Sequence, residues 1–97
     1  ESLFVNANAL ENLKALHYLP QLQHLYCNDN QLTDLWPLAQ STNLETLCCN
    51  QNPITSFAGI SELHAAKLKT FIGLPNDAIE EREIKRLKKL GIIVKKG

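Results

Sequence analysis

The chain has 97 residues, of which 44% are hydrophobic and 21% are charged, and its formal net charge is zero. This length is that of a single domain, 1–97, and no apolar run approaches the roughly 20 residues that a membrane-spanning helix needs. Three cysteines, an odd number, do not form a disulfide framework of the kind that stabilises small secreted proteins. The composition therefore argues against a membrane span and against a disulfide scaffold.

An internal repeat organises residues 1 to about 74, because three stretches superimpose at a spacing of 22 residues. Six columns align: Leu3, Leu25 and Leu47; Val5, Cys27 and Cys49; Asn8, Asn30 and Asn52; Leu10, Leu32 and Ile54; Leu13, Leu35 and Phe57; and Leu16, Leu38 and Ile60. The repeat units are a partial unit 1–21, full units 22–43 and 44–67, and a terminal partial unit 68–74.

The first part of each unit predicts a short strand with alternating side chains. In the second unit Leu25 and Cys27 face inward and Tyr26 faces outward, and successive units then build one parallel sheet. The asparagine column follows each strand, where the chain must turn and where Asn bonds nearby backbone groups. We therefore interpret Asn30 and its equivalents as a structural ladder.

The second part of each unit predicts turns or 3₁₀ segments, as at Trp36-Pro37-Leu38, because proline cannot continue a strand ladder. The third unit is two residues longer there, and residues 61–67 predict a helical turn.

A different pattern begins after Gly73 and predicts a cap over residues 75–97. Asp77 and Glu80 fit a capping box, and a helix with apolar residues at 84, 87 and 90 follows. Gly91 predicts the end of that helix, and residues 92–94 predict a strand that joins the sheet.

The columns spell LxxLxCxxNxL, the leucine-rich repeat pattern. Residues 30–47 resemble the bacterial internalin-like class, whose units read NxIxDIxPLxxLTNLxxL. The resemblance implies an α/β right-handed solenoid with a parallel sheet on the concave face and turns on the convex face. It also implies ligand binding at the concave sheet, a bacterial source and a surface or secreted location. The reduced-looking cysteines favour the cytosol instead, so the localisation stays open.

The chain starts inside a repeat and contains no methionine. Leu3, Val5 and Leu10 would then lie at an open end of the solenoid, where repeat proteins normally carry a polar cap. We expect either further residues upstream of Glu1 or self-association through this end.

The charges are unevenly distributed. Residues 1–66 hold one lysine and six carboxylates, net −5, so residues 67–97 carry +5. A basic cap suggests nucleic-acid binding, but the acidic residues precede the basic ones along the predicted helix, which is the order that the helix dipole favours. We expect no nucleic-acid partner.

The best candidate for catalysis or metal binding is the pair His24 and Cys48, both predicted to face outward on neighbouring strands. The sequence offers no third orienting group, no CxxC spacing and no glycine-rich phosphate loop. We expect no enzyme activity, no cofactor and no metal site, with Cys27 and Cys49 filling the core and Cys48 exposed.

The outward positions of the strands give the candidate binding site, which combines an apolar column with polar columns on either side. Its predicted residues are Phe4, Asn6, His24, Tyr26, Asn28, Thr46, Cys48, Asn50, Thr70 and Ile72. Binding of a protein ligand competes with a second interpretation, in which these side chains only pack against each other. Trp36 is either a second contact or a cover for the edge of the core. The chain could also be the stabilising end of a longer repeat receptor, or an accessory domain of an enzyme encoded upstream.

Overall fold

The structure is a computed structural model that describes residues 1–6, 8 and 11–97, and only the backbone at residues 17 and 18. The predicted position of Leu10 lies outside the described residues. Within the described residues, nine short elements alternate between strands and helical turns.

In the part of the chain that the structure describes, five strands form one sheet in the order of the sequence, and every neighbouring pair is parallel. They are β1 (Ser2–Phe4), β2 (His24–Tyr26), β3 (Thr46–Cys48), β4 (Thr70–Leu74) and β5 (Val94–Lys96). Leu3, Leu25, Leu47 and Phe71 lie opposite one another across the first four strands. The predicted parallel sheet is confirmed.

Helical turns connect the strands on the other side of the molecule. The first two are 3₁₀ helices, Lys14–Tyr18 and Trp36–Leu38, and the third is the α-helix α1, Glu62–Ala65. The predicted helical turn within residues 61–67 is confirmed. Its N-cap, Ser61, accepts a hydrogen bond from the Leu63 N–H, and the imidazole of His64 accepts one from the Ser61 N–H.

The core lies between the sheet and these turns and consists of the inward columns of the repeat. Leu25, Cys27, Leu47 and Cys49 are fully buried. Burial, together with the nearby Cys48 thiol, raises the pKa of Cys27 to about 12. The two cysteines are free thiols and fill the core as the sequence predicts.

The asparagine column forms the predicted ladder. The Asn52 Oδ1 accepts hydrogen bonds from the N–H groups of Asn30 and Leu32, and its Nδ2 donates to the carbonyls of Cys27, Cys49 and Asn50. Asn30 repeats most of this pattern one coil earlier. Each carboxamide thus bonds backbone groups of its own coil and of the preceding one, where buried peptide groups need partners.

The cap helix begins later than predicted. Helix α2 spans Glu81–Lys89, with Glu80 as its N-cap and without a hydrogen bond from that side chain to the helix. The capping box of Asp77 and Glu80 is therefore wrong, because Asp77 lies in an exposed turn that precedes the N-cap by three residues.

The last strand is also displaced from its predicted position. Gly91 turns the chain with a φ of 88°, and the Ile92 N–H donates to the Leu87 carbonyl, so Ile92 is buried beside the helix end. Pairing with β4 therefore begins only at Val94. The strand predicted at residues 92–94 thus spans Val94–Lys96 instead. Its predicted addition to the end of the sheet is confirmed.

Gly73 allows β5 to approach β4. A Cβ atom at this position would lie 2.9 Å from Val94 Cγ1 and 3.0 Å from Phe71 Cε1. The third repeat has Cys49 in the equivalent column, so the loss of a side chain at Gly73 makes room for the cap.

Candidate functional site

The outward face of the sheet brings the predicted site residues together in columns. We call this surface the concave face. The pairing register aligns Phe4 with Tyr26, Tyr26 with Cys48, and Cys48 with Ile72. A second column contains Ser2, His24, Thr46 and Thr70. Neighbouring strands lie about 4.8 Å apart, so each column is a continuous row of side chains.

Two stacked aromatic rings form the first part of the apolar column. The ring centroids of Phe4 and Tyr26 are 4.6 Å apart, and the rings are parallel to within 1°. Phe4 is 68% exposed, whereas Tyr26 is half-buried. The stack therefore presents one face of the Phe4 ring to solvent, while the other face packs on Tyr26.

Cys48 lies on the predicted face but is not exposed. It is only 5% exposed, which contradicts the predicted solvent-facing thiol. Its side chain is the shortest in its column, and its strand neighbours Tyr26 and Ile72 are both larger. Burial raises the pKa of Cys48 above its usual value, so this thiol is less ionised than a free cysteine.

The threonine and histidine column carries one cross-strand hydrogen bond. His24 Nδ1 lies 3.0 Å from the Thr46 Oγ1. Both residues and Thr70 are half-buried. The column gives the apolar stripe a polar border with donors and acceptors that lie within reach of a ligand.

The asparagine residues on the other border are bound to one another's backbone. The Asn28 N–H donates to the Asn6 Oδ1 at 2.8 Å, and the Asn50 N–H donates to the Asn28 Oδ1 at 3.0 Å. The two side-chain oxygens thus support the sheet edge. The sequence predicts these positions only as ligand contacts, and the second ladder that they form is seen only in the structure.

Lys95 extends the outward column of Phe4, Tyr26, Cys48 and Ile72 by one position, beyond the residues that the sequence predicts for the site. It pairs with Ile72 across the last two strands and is exposed. The concave face thus ends on a positive charge at the cap. The alternation of Val94 inward and Lys95 outward indicates this position, but a strand predicted at residues 92–94 ends before Lys95.

Other exposed apolar groups lie away from the concave face, among them Trp36, Leu63 and an apolar cleft on the first coil. Trp36 is 48% exposed at the start of its 3₁₀ helix. An apolar cleft of about 220 Å³ opens on the first coil between Leu3, Val5, Leu13 and Leu16. Self-association through this end stays a prediction.

The geometry offers little support for catalysis by His24 and Cys48. The His24 ring pairs with Thr46, and burial disfavours the Cys48 thiolate that a nucleophile needs. Within residues 1–6, 8 and 11–97, no three His, Cys, Asp or Glu side chains come together as metal ligands. No helix in the described part of the chain is both long and apolar enough to cross a bilayer.

Comparison with known families agrees with this geometry. Residues 20–63 match the family model described as leucine-rich repeats, in two copies. The fold is a leucine-rich-repeat solenoid. The matched region contains β2, β3 and the connecting turns, and thus the middle of the concave face. Leucine-rich repeats generally mediate protein–protein interactions and are typically not enzymes. A search of curated proteins found no match to the sequence.

Proposed function

We propose that the chain binds a protein ligand through the concave face of its leucine-rich repeats. The observation that supports this most directly is the Phe4–Tyr26 stack. Phe4 is 68% exposed and stacks on Tyr26, so the two rings together form an apolar patch of the kind that a protein partner covers. Aromatic side chains of this kind are common at the centres of protein interfaces.

The surroundings of the stack fit a protein ligand. The half-buried Ile72 continues the apolar column, and Thr46 and Thr70 offer hydroxyl groups beside it. An apolar centre with a polar border is the usual composition of a specific interface. Lys95 at the cap end would attract a carboxylate of the ligand, so the ligand we infer has an apolar segment with an acidic residue at one end.

We also infer that the repeats are of the bacterial internalin-like class. The support is the resemblance of residues 30–47 to the pattern of that class. The family match covers these residues and describes them at the coarser level of leucine-rich repeats.

Affinity capture followed by a measured dissociation constant tests the proposal. Proteins retained by the wild-type chain but not by Phe4→Ser would be identified by mass spectrometry, and one would be purified for titration. Trp36→Ser is the matched control, because it removes an exposed aromatic ring from another surface. Retention that depends on Phe4 and not on Trp36 supports the concave face, whereas equal loss in both variants or in neither contradicts it.

A further inference from the structure

The asparagine ladder has a fourth position that departs from the others. Asn76 follows β4 as Asn52 follows β3 and Asn30 follows β2. In the second and third coils the residue before the ladder asparagine has a positive φ, 59° at Asp29 and 58° at Gln51. The fourth coil has Pro75 there, and the proline ring holds φ near −65°. The fourth turn therefore takes another path.

The backbone hydrogen bonds show the change of path. The Asp29 N–H donates to the carbonyl of Asn50, but the Gln51 N–H donates to the carbonyl of Pro75 rather than to that of Leu74. The hydrogen bond that joins the third coil to the fourth is therefore shifted by one residue relative to the bond that joins the second coil to the third. Asn76 is displaced from the place that a ladder asparagine occupies.

The displacement leaves the Asn76 side chain without partners. The residue is 7% exposed, and both its Oδ1 and its Nδ2 are buried and make no hydrogen bond within the described part of the chain. Asn52, by contrast, uses its carboxamide in five hydrogen bonds. A buried carboxamide without partners is destabilising, and in native proteins such a group needs a reason.

Asn76 lines an open groove of about 540 Å³ along the turns that follow the strands. This volume is within the range of small-ligand sites. Pro53 and Pro75 supply exposed apolar walls, and Gln31 and Gln51 supply exposed carboxamides. Asp77 is the one charged residue among the described lining residues, and none of these is aromatic.

We propose that this groove binds an extended peptide segment, neutral or basic, whose backbone amide pairs with the Asn76 carboxamide. A peptide bond presents an N–H and a C=O, and the carboxamide presents the complementary acceptor and donor. Turning this side chain toward the groove breaks no hydrogen bond, so the ligand supplies the missing partners without displacing others. The single carboxylate, Asp77, disfavours acidic segments. The absence of an aromatic platform among the described lining residues favours a peptide over a sugar.

The direct test is an NMR titration of the whole chain, labelled with ¹⁵N, with the capped peptide acetyl-Ala-Lys-Ala-Lys-Ala-amide. The side-chain amide signals of Asn76 should shift and saturate. Asn76→Leu should weaken binding by about tenfold or more, since it removes a donor and an acceptor. It should leave the melting temperature equal or higher, because replacing an unpaired buried polar group by an apolar one of similar size is neutral or stabilising. Tyr26→Ser should keep the peptide affinity, so this site can fail independently of the concave face.

Four results would overturn the assignment. Unchanged Asn76 signals would mean that the groove holds water alone. Equal affinity for Asn76→Leu would remove the carboxamide from the site. A large fall in the melting temperature of that variant would show that the side chain is structural. The same saturable shift with glucose would show a general preference for polar groups rather than for peptides.

Discussion

The Glu83 carboxylate joins the cap helix to the third repeat by accepting a hydrogen bond from the Phe57 N–H at 2.8 Å. The same oxygen accepts a bond from the Ser56 hydroxyl at 3.2 Å and lies 3.5 Å from the Arg86 guanidinium. Burial alone would raise the pKa of Glu83, but these hydrogen bonds and the Arg86 charge outweigh it, so the pKa is lowered.

This link predicts a dependence of stability on pH. The folded carboxyl group binds a proton less tightly than the unfolded one, so its contribution is present above the unfolded pKa of about 4.5 and is lost as the pH falls through the lower folded pKa. Glu83→Gln should reduce the free energy of unfolding at pH 7 by about 1–3 kcal/mol, the usual range for hydrogen bonds to a charged group. Urea unfolding at pH 7 and pH 3 measures both effects.

Glu80→Gln is the control, because this carboxylate is largely exposed and pairs only with the exposed Arg82 among the described residues. It should change stability little. Equal effects of the two substitutions would contradict the role of Glu83. The same conclusion would follow if the free energy of unfolding of Glu83→Gln fell between pH 7 and pH 3 as much as that of the wild type.

The buried imidazole of His64 predicts a large loss on truncation. Its Nδ1 accepts from the Ser61 N–H at 3.1 Å, and its Nε2 donates to the Leu38 carbonyl at 2.9 Å. His64→Ala leaves the Ser61 N–H unpaired, removes one of the two hydrogen bonds that the Leu38 carbonyl accepts, and opens a cavity. We therefore expect a loss of about 2–4 kcal/mol in urea unfolding. Ser61→Ala, which removes only the cap, should cost about 1 kcal/mol. A His64→Ala variant as stable as the wild type would show that this contact is dispensable.

The ladder predicts that Asn52 is among the most sensitive polar residues. Asn52→Ala removes hydrogen bonds to two N–H groups and to three carbonyls, and we expect a loss of at least about 3 kcal/mol. The carbonyls of Cys27 and Asn50 each keep one other donor, so most of the loss comes from the buried N–H groups of Asn30 and Leu32. Asn12→Ala is the control, because the Asn12 side chain is exposed and accepts one local bond from the Lys14 N–H. Thermal unfolding of both variants decides the point, and similar melting temperatures would rule out the ladder as a major source of stability.

The three thiols should be protected in the native protein. Cys27, Cys48 and Cys49 are all buried, and burial raises the pKa of each. A disulfide reagent that reacts with thiols should label none of them within minutes in the native chain at pH 7.5. In about 6 M guanidinium, which exceeds the roughly 5 M unfolding midpoint that marks a hyperstable domain, it should label three thiols per chain. Rapid labelling of one thiol in the native chain would contradict this burial and would support the sequence-based prediction that Cys48 is exposed to solvent.

The sequence was sufficient where the pattern repeats. The inward position of Leu25 and Leu47, the asparagine ladder and the outward columns could all be predicted, because one register applies to successive coils. Exposure was harder to predict. The burial of Cys48 depends on the size of its neighbours in other coils, which alternation along one strand does not report.

The cap could be predicted only in outline, because it occurs once and offers no column to compare. Its strand starts at Val94 since Ile92 is used to bury the helix end, a tertiary effect that the run of three apolar residues conceals. The same holds for Asn76, where Pro75 changes the turn. His64 was missed since its role is to bond a carbonyl 26 residues away.

We propose above that the Phe4–Tyr26 stack on the concave face binds a protein ligand. Its most direct test is the dissociation constant of the captured ligand for the wild type, Phe4→Ser and Tyr26→Ser, with melting temperatures measured on the same samples. We predict that both substitutions weaken binding by about tenfold or more, while the melting temperature of Phe4→Ser stays close to that of the wild type because its ring is mostly exposed. Binding within twofold of the wild type in both variants, or a large fall in the melting temperature of Phe4→Ser, would contradict the claim and leave the stack as packing alone.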